Sequence, residues 1–223
     1  MKRTSHYFYL IALFLILPVL TTGCNEDGSP AIKTNITAIE TLSSVLSKAV
    51  SDYSSDAKLI SIYGRTVAKD GTIDLSKPLS NIFVYAVQSE TKKAVEFYVP
   101  VFAAGPVRSP LNLNDLTSII KDTTAKNTIL KGFQYLSGVT IDPKDILRDS
   151  PYAVDKAAKS TVGAQYLVQN PNARIDMYLV PSVKIDWTGV SNSADWIVTF
   201  AGEITSLTQL VNSQTGITVV ISQ

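Results

Sequence analysis

Apolar and polar positions along this chain alternate in two rhythms, one of helical period and one of period two. In 36–53, Ile36, Ile39, Leu42, Val45, Leu46, Ala49, Val50 and Tyr53 recur at helical spacing. Thr37, Glu40, Thr41, Ser44, Ser47 and Lys48 fill the other side. A single apolar stripe predicts an amphipathic helix laid on a sheet, capped by Thr34 or Asn35 and ended by Ser54, Ser55 and Asp56. Asp149-Ser150-Pro151 has the grammar of a second helix start, an N-cap followed by a first-turn proline. Its inner face is expected to hold Ala153, Ala157, Thr161, Ala164, Leu167 and Val168. Gly163 weakens it, and Asn170-Pro171-Asn172 stops it.

Strands are predicted at 58–67, 82–88, 94–102, 174–183 and in the stretch 193–221, where β-branched and aromatic residues alternate. Trp196, Val198 and Phe200 point to one face and Ile197, Thr199 and Ala201 to the other. Lys69 to Thr72 reads as a turn, 89–93 as a hairpin loop, and Asn212 to Gly216 as the closing turn. There Asn212 bonds its own backbone and Gly216 takes positive φ. Pro100 marks 94–102 as edge-like, and the edge near Val95 to Val101 is a candidate for accepting an added peptide strand. Between 103 and 148 the pattern changes: Gly105, Pro106 and Pro110 read as a linker, Asn114 as the cap of a short helix, and Asp142-Pro143 as a short helical turn.

The two halves match. Asp56-Ala57-Lys58-Leu59 follows the first helix as Asn172-Ala173-Arg174-Ile175 follows the second. The stretch Ser80 to Ala86 aligns with Ala194 to Phe200, setting Ile82 against Trp196. The expected fold class is therefore α+β, with two αβββ-type units, each a long helix packed on an antiparallel sheet. The first unit is 34–106, the second 149–223, and 107–148 is a helical linker.

The N-terminus adds location. Lys2 and Arg3 precede an apolar run, 7–20, that is short for a membrane span and suited to a signal-peptide core. It ends at Leu20-Thr21-Thr22-Gly23-Cys24, which resembles the lipobox of bacterial lipoproteins, with Thr21 where Leu normally stands. That resemblance implies a signal peptide over 1–23, cleavage between Gly23 and Cys24, and lipidation of Cys24. Cys24 is the only cysteine, so no disulfide forms within the chain. Residues 24–33 read as a tether, and its acidic pair Glu26-Asp27 resembles the start of surface-exported lipoproteins. The expected place is the bacterial cell envelope, lipid-anchored, either periplasmic or surface-exposed.

Composition then excludes chemistry. Of 223 residues, 45% are hydrophobic and 17% charged, enough apolar content for a core. Formal charge is +1 with no basic block, so no footprint for nucleic acid is present. Without 1–23 the chain keeps 18 basic against 19 acidic side chains and no histidine, since His6 lies in the signal. Imidazole-based triads and zinc sites built on His or Cys are excluded on that count. Ser-x-x-Lys recurs at Ser55/Lys58, Ser89/Lys92 and Ser118/Lys121, a spacing cheap enough to arise by chance, with no accompanying motif. Asp142, Asp145 and Asp149 read as caps on a solvated face, and Asp70 and Asp74 as turn residues. No metal, cofactor or catalytic residue is expected.

Residues 149–223 resemble PepSY and PepSY-like domains. The matching pieces are Asp149 to Ala157, the aromatic-led strand Trp196 to Phe200, and the closing turn Asn212 to Gly216, where Asn212 replaces the more usual Asp. The first half joins this resemblance through the internal match. The family implies an extracytoplasmic, non-catalytic module, for which peptidase inhibition or local protein binding has been proposed. The expected role is a lipid-anchored binding module for an envelope protein or peptide, held to the membrane by lipid on Cys24. The alternative is a surface lipoprotein that binds a glycan or small ligand on exposed aromatics. Trp187, Trp196 and Tyr98 are the candidate binding surface, although alternation places Trp196 toward the core.

Overall fold

Two strands more than a hundred residues apart in sequence lie side by side at the middle of the fold. Strand β2 (Lys58–Val67) pairs antiparallel with β7 (Arg174–Pro181), setting Ile62 opposite Leu179, Tyr63 opposite Tyr178 and Gly64 opposite Met177. The computed structural model describes residues 33–77, 81–102, 104–108, 139–181 and 194–222. Around this pair runs one eight-stranded antiparallel sheet. On one side β2 is followed by β4 (Ile82–Ser89), β5 (Ala94–Val101) and β6 (Gly105–Arg108). On the other, β7 is followed by β8 (Ala194–Ala201), β9 (Ser206–Asn212) and β10 (Thr218–Ser222). A separate ladder joins β1 (Asn35–Ile36) to β3 (Ile73–Asp74).

The class is α+β, as the alternation predicts. The expected pair of small sheets is one continuous sheet, and Lys33–Gln223 forms one compact unit. Each half runs outward from the shared centre in sequence order, and every neighbouring pair is antiparallel. The edges of the expected units also move. Val107 and Arg108, placed in the linker by the sequence, belong to β6, and Pro143–Asp145 forms a single 3-10 turn; 109–138 lies outside the described residues.

The helices are short and share one face of the sheet. Helix α1 is Leu42–Asp52, not 36–53. Asn35 and Ile36 pair with β3 instead of starting the helix, a tertiary pairing that overrides the helical spacing of Ile36 and Ile39. Thr41, rather than Thr34 or Asn35, is the N-cap residue, and its hydroxyl bonds Tyr85 instead of the helix backbone. Leu42, Val45 and Ala49 face the sheet, whereas Val50 is exposed.

The second long helix is broken in two. Helix α2 (Ser150–Lys159) ends and α3 (Thr161–Gln169) begins at Ser160, whose backbone is extended and whose Oγ accepts from Gly163 N at 3.0 Å. The break is supported from the sheet. Buried Gln209 donates Nε2 to Ala157 O at 3.0 Å and accepts from Ser160 Oγ at 2.7 Å, serving groups that a helix end leaves unpaired. A side chain at Gly163 would collide with Ala157 O. The break changes the phase of the stripe. Gly163 and Tyr166 are buried in α3, while Thr161, Ala164 and Val168 are exposed.

One core fills the space between helices and sheet. It includes Val45 and Ala49 of α1, Ala153 and Ala157 of α2, and Tyr85, Leu179, Trp196 and Phe200 from the strands. Trp196 stands in the ladder opposite Leu179 and Val211, and its Nε1 donates to Arg148 O at 2.9 Å, just before α2. The internal match needs a shift of one residue. Leu59 pairs with Val87 and Ile175 with Phe200, so Phe83, not Ile82, corresponds to Trp196. Phe83 and Trp196 are both buried in the core, whereas Ile197 lies on the other face; a one-residue slip exchanges the two faces.

The halves are also tied through the start of α2. Asp149 caps α2 by accepting from Ser150 N and accepts from Ile39 N at 3.0 Å; Ser150 Oγ accepts from Ala38 N at 3.1 Å. Tyr85 completes this knot, its hydroxyl donating to Ala38 O at 2.6 Å and accepting from Thr41 Oγ1 at 2.6 Å. Tyr85→Phe keeps the ring and removes the donor to a buried carbonyl. It is expected to lower unfolding free energy by about 1–3 kcal/mol in urea titration, with little change in the slope.

Candidate functional site

Of the residues that the sequence nominated for chemistry, Ser89, Lys92, Asp70, Asp74, Asp142 and Asp149 are engaged elsewhere. Ser89 Oγ donates to Asp56 Oδ1 at 2.6 Å, and its Lys92 donates Nζ to Tyr53 O and lies over the Tyr53 ring, so the pair forms no nucleophile and base. Asp56 carboxylate also accepts from Ser54 Oγ, Thr91 N and Thr91 Oγ1, which pins the β4–β5 loop to the end of α1. Asp142 caps the 3-10 turn and pairs with Lys144; Asp149 caps α2. Asp70 and Asp74 each accept from the residue two positions on, as turn carboxylates do. Among the described residues no group of three or more His, Cys, Asp or Glu side chains is placed to hold a metal.

The expected binding surface is corrected in two places. Trp196 and Tyr98 are both fully buried, because each points from its strand toward the helices, so neither presents a ring to solvent. Gly23 and Cys24, the signal 1–23, nearly all of the tether, Trp187, and the pair Ser118/Lys121 lie outside the described residues. Tyr63 and Tyr178 form an aromatic pair on the face away from the helices. Their rings stack on each other at 4.6 Å and 21°, a cross-strand pair across the β2–β7 join, so each covers a face of the other. Burial raises both phenols above their ordinary range.

The two ends of the sheet differ. Strand β6 covers β5 from Tyr98 to Val101, which closes that part of the open edge that the sequence placed at Val95 to Val101. Strand β6 is itself guarded. It has four residues, contains Pro106, and carries Arg108, whose guanidinium grips Glu96 with Nε at 2.9 Å. Beside it, Ser44, Ser47, Lys48, Ser51, Ala104, Pro106 and Val107 line a groove of about 580 Å³, where Lys48 is held by Asp52 at 3.0 Å.

Strand β10 carries none of these guards. It contains no proline, and no charged residue follows Glu203 in the sequence. Ile217, Val219, Val220 and Ile221 are 51%, 46%, 41% and 54% exposed, an apolar row at the outer end of the sheet. The ladder fixes which backbone groups look outward. Asn212 N donates to Ile217 O at 2.9 Å, so Asn212 directs its N–H toward β10, and by alternation Leu210 does the same opposite Val219. Thr218 and Val220 therefore direct their N–H and C=O groups away from β9. An irregularity between Val220 and Ser222 ends this regular stretch.

The turn before β10 is stiff. Asn212 Oδ1 accepts from Gln214 N, Thr215 N and Thr215 Oγ1, while Nδ2 donates to buried Asp195 at 2.9 Å. Gly216 has φ of 74°, and a Cβ there would meet Tyr152 OH at 2.1 Å, so glycine is required twice over. The sequence marked this turn correctly. It missed the edge, although the uncharged run Ile217 to Ile221 was a legible sign of one.

Asp56 gives a pH test. Hydrogen bonds from Ser54, then Ser89 and Thr91, hold its carboxyl well below the usual carboxylate range. A depressed folded value means that its contribution is complete above the unfolded value of about 3.9 and fades as pH falls below it. Asp56→Asn is therefore expected to lose less melting temperature than the parent between neutral and strongly acidic pH, as followed by circular dichroism. Comparison with protein-family models, with curated proteins and with solved structures gives no match for this chain.

Proposed function

We propose that this protein is a lipid-anchored binding module of the bacterial cell envelope that takes an extended polypeptide by strand addition at β10. The observation that carries the reading is β10, the outer strand of the sheet among the described residues: an apolar, uncharged row with the backbone groups of Thr218 and Val220 directed outward. An arriving strand satisfies those groups, and side chains of period two read its apolar positions. Inhibition or regulation of an envelope peptidase follows the same logic, since a bound extended segment is held in the form that such enzymes recognise.

The finer fold reading belongs to this proposal. Two PepSY-like αβββ units, one around α1 and one around α2 and α3, join through their first strands. The strand order supports it, running outward from β2 and β7 in sequence order on both sides. Anchoring rests on the signal core at 7–20 and on Cys24. A glycan platform fits less well, because Trp196 and Tyr98 are buried and the Tyr63–Tyr178 rings stack on each other.

Val220→Pro removes an outward donor and leaves the bonds to β9 in place. The variant should fold with a melting temperature near that of the parent and lose at least about tenfold in capture of its envelope partner, the loss expected when strand-pairing bonds are removed. Equal capture by parent and variant would refute strand addition. Cys24→Ala should move the protein from the membrane fraction to the soluble one. Membrane association that survives this change would contradict the lipid anchor.

A further inference from the structure

We infer that β10 also pairs antiparallel with β10 of a second copy of this chain, so that self-association occupies the edge on which the proposed function rests. The pairing geometry comes from the backbone. Only residues whose N–H and C=O point away from β9 can bond a new strand, and these are Thr218 and Val220. A two-fold axis through Val219 sets Thr218 opposite Val220 of the other copy and Val220 opposite Thr218. Each pair exchanges two backbone bonds, and Val219 lies on the axis facing its own copy across a non-hydrogen-bonded pair.

Side-chain chemistry agrees with self-pairing. A two-fold contact places each residue beside its own kind, which is unfavourable for a charged edge. Between Glu203 and the end of β10 no side chain carries a charge, so β10 meets its copy without like-charge repulsion between side chains. The residues brought together are Ile217, Val219, Val220 and Ile221, the exposed apolar row of the free chain. The β2–β7 join inside the chain already shows two four-strand meanders meeting edge to edge in the antiparallel sense. A second copy repeats that arrangement at β10 and extends the eight-stranded sheet across the axis.

The axis supplies the test. Val219 is paired with itself at the short separation of a non-hydrogen-bonded pair, within disulfide reach. In a full-length Cys24→Ala background, Val219→Cys should form a covalent dimer on mild oxidation at least about tenfold faster than Ile204→Cys, because only the former meets its copy at bonding distance. Ile204 is 96% exposed and lies off the proposed axis. Light scattering on the same background should show a concentration-dependent dimer that Val220→Pro abolishes. Equal crosslinking at both positions, or a monomer at every concentration, would overturn the inference. A monomeric parent whose partner capture still depends on Val220 would leave the strand-addition reading standing. A dimer whose dissociation changes no capture would do the reverse.

Discussion

The pairing of β2 with β7 is the contact on which the rest of the fold depends. It joins segments that the sequence keeps far apart, and it converts two meanders into one sheet. Its packing is close. Gly64 in β2 has Phe83, Val67 and Met177 where a side chain would stand, so the helix face there is filled by β2 itself and by its two neighbours, β4 and β7. On the opposite face, Tyr63 and Tyr178 stack across the same join. A bulge follows in β2, where Thr66 takes φ of 52°, unusual for a β-branched residue; its N–H is held by Asp176 Oδ1 at 2.9 Å, and Arg174 grips the same carboxylate.

A central join made of hydrogen bonds and one shared core places demands on the helices above it. Among the described residues they share one face, and their ends carry the polar work. Asp149 and Ser150 serve both the start of α2 and the backbone before α1, so the two halves share a cap. Gln209 does the equivalent at the break between α2 and α3, where a sheet residue takes over from missing helical bonds. Each of these groups is buried or half-buried, where an unpaired polar atom costs more than a satisfied one returns.

The sheet spends its asymmetry at its ends. Strand β6 is short, carries proline and an Arg–Glu pair, and is flanked by α1; β10 is longer, uncharged and apolar. An edge of the second kind is a liability for a free-standing domain and an asset for one that works by joining strands. That contrast directs attention away from the aromatic residues and toward the backbone of Thr218 and Val220.

The sequence alone determined much that is local. Alternation identified β8, with Trp196, Val198 and Phe200 toward the core, and β7 alternates as its residues predict. Asn212 and Gly216 announced their turn, and Asp149 with Pro151 announced the start of α2, because caps and turns are written in the few residues that make them. The lack of histidine beyond residue 6 set limits on chemistry by composition alone. What only the tertiary structure decided depends on distant partners. Ile36 became a strand because Ile73 was there to pair with it, and the second helix broke because Gln209 could satisfy the break. The eight strands form one sheet because β2 meets β7, and β6 covers β5 from Tyr98 to Val101 while β10 stands at the end of the sheet. Period and propensity describe a segment's own preference; which strand lies beside it is a property of the whole chain, settled by shared burial and by hydrogen bonds that no single segment contains.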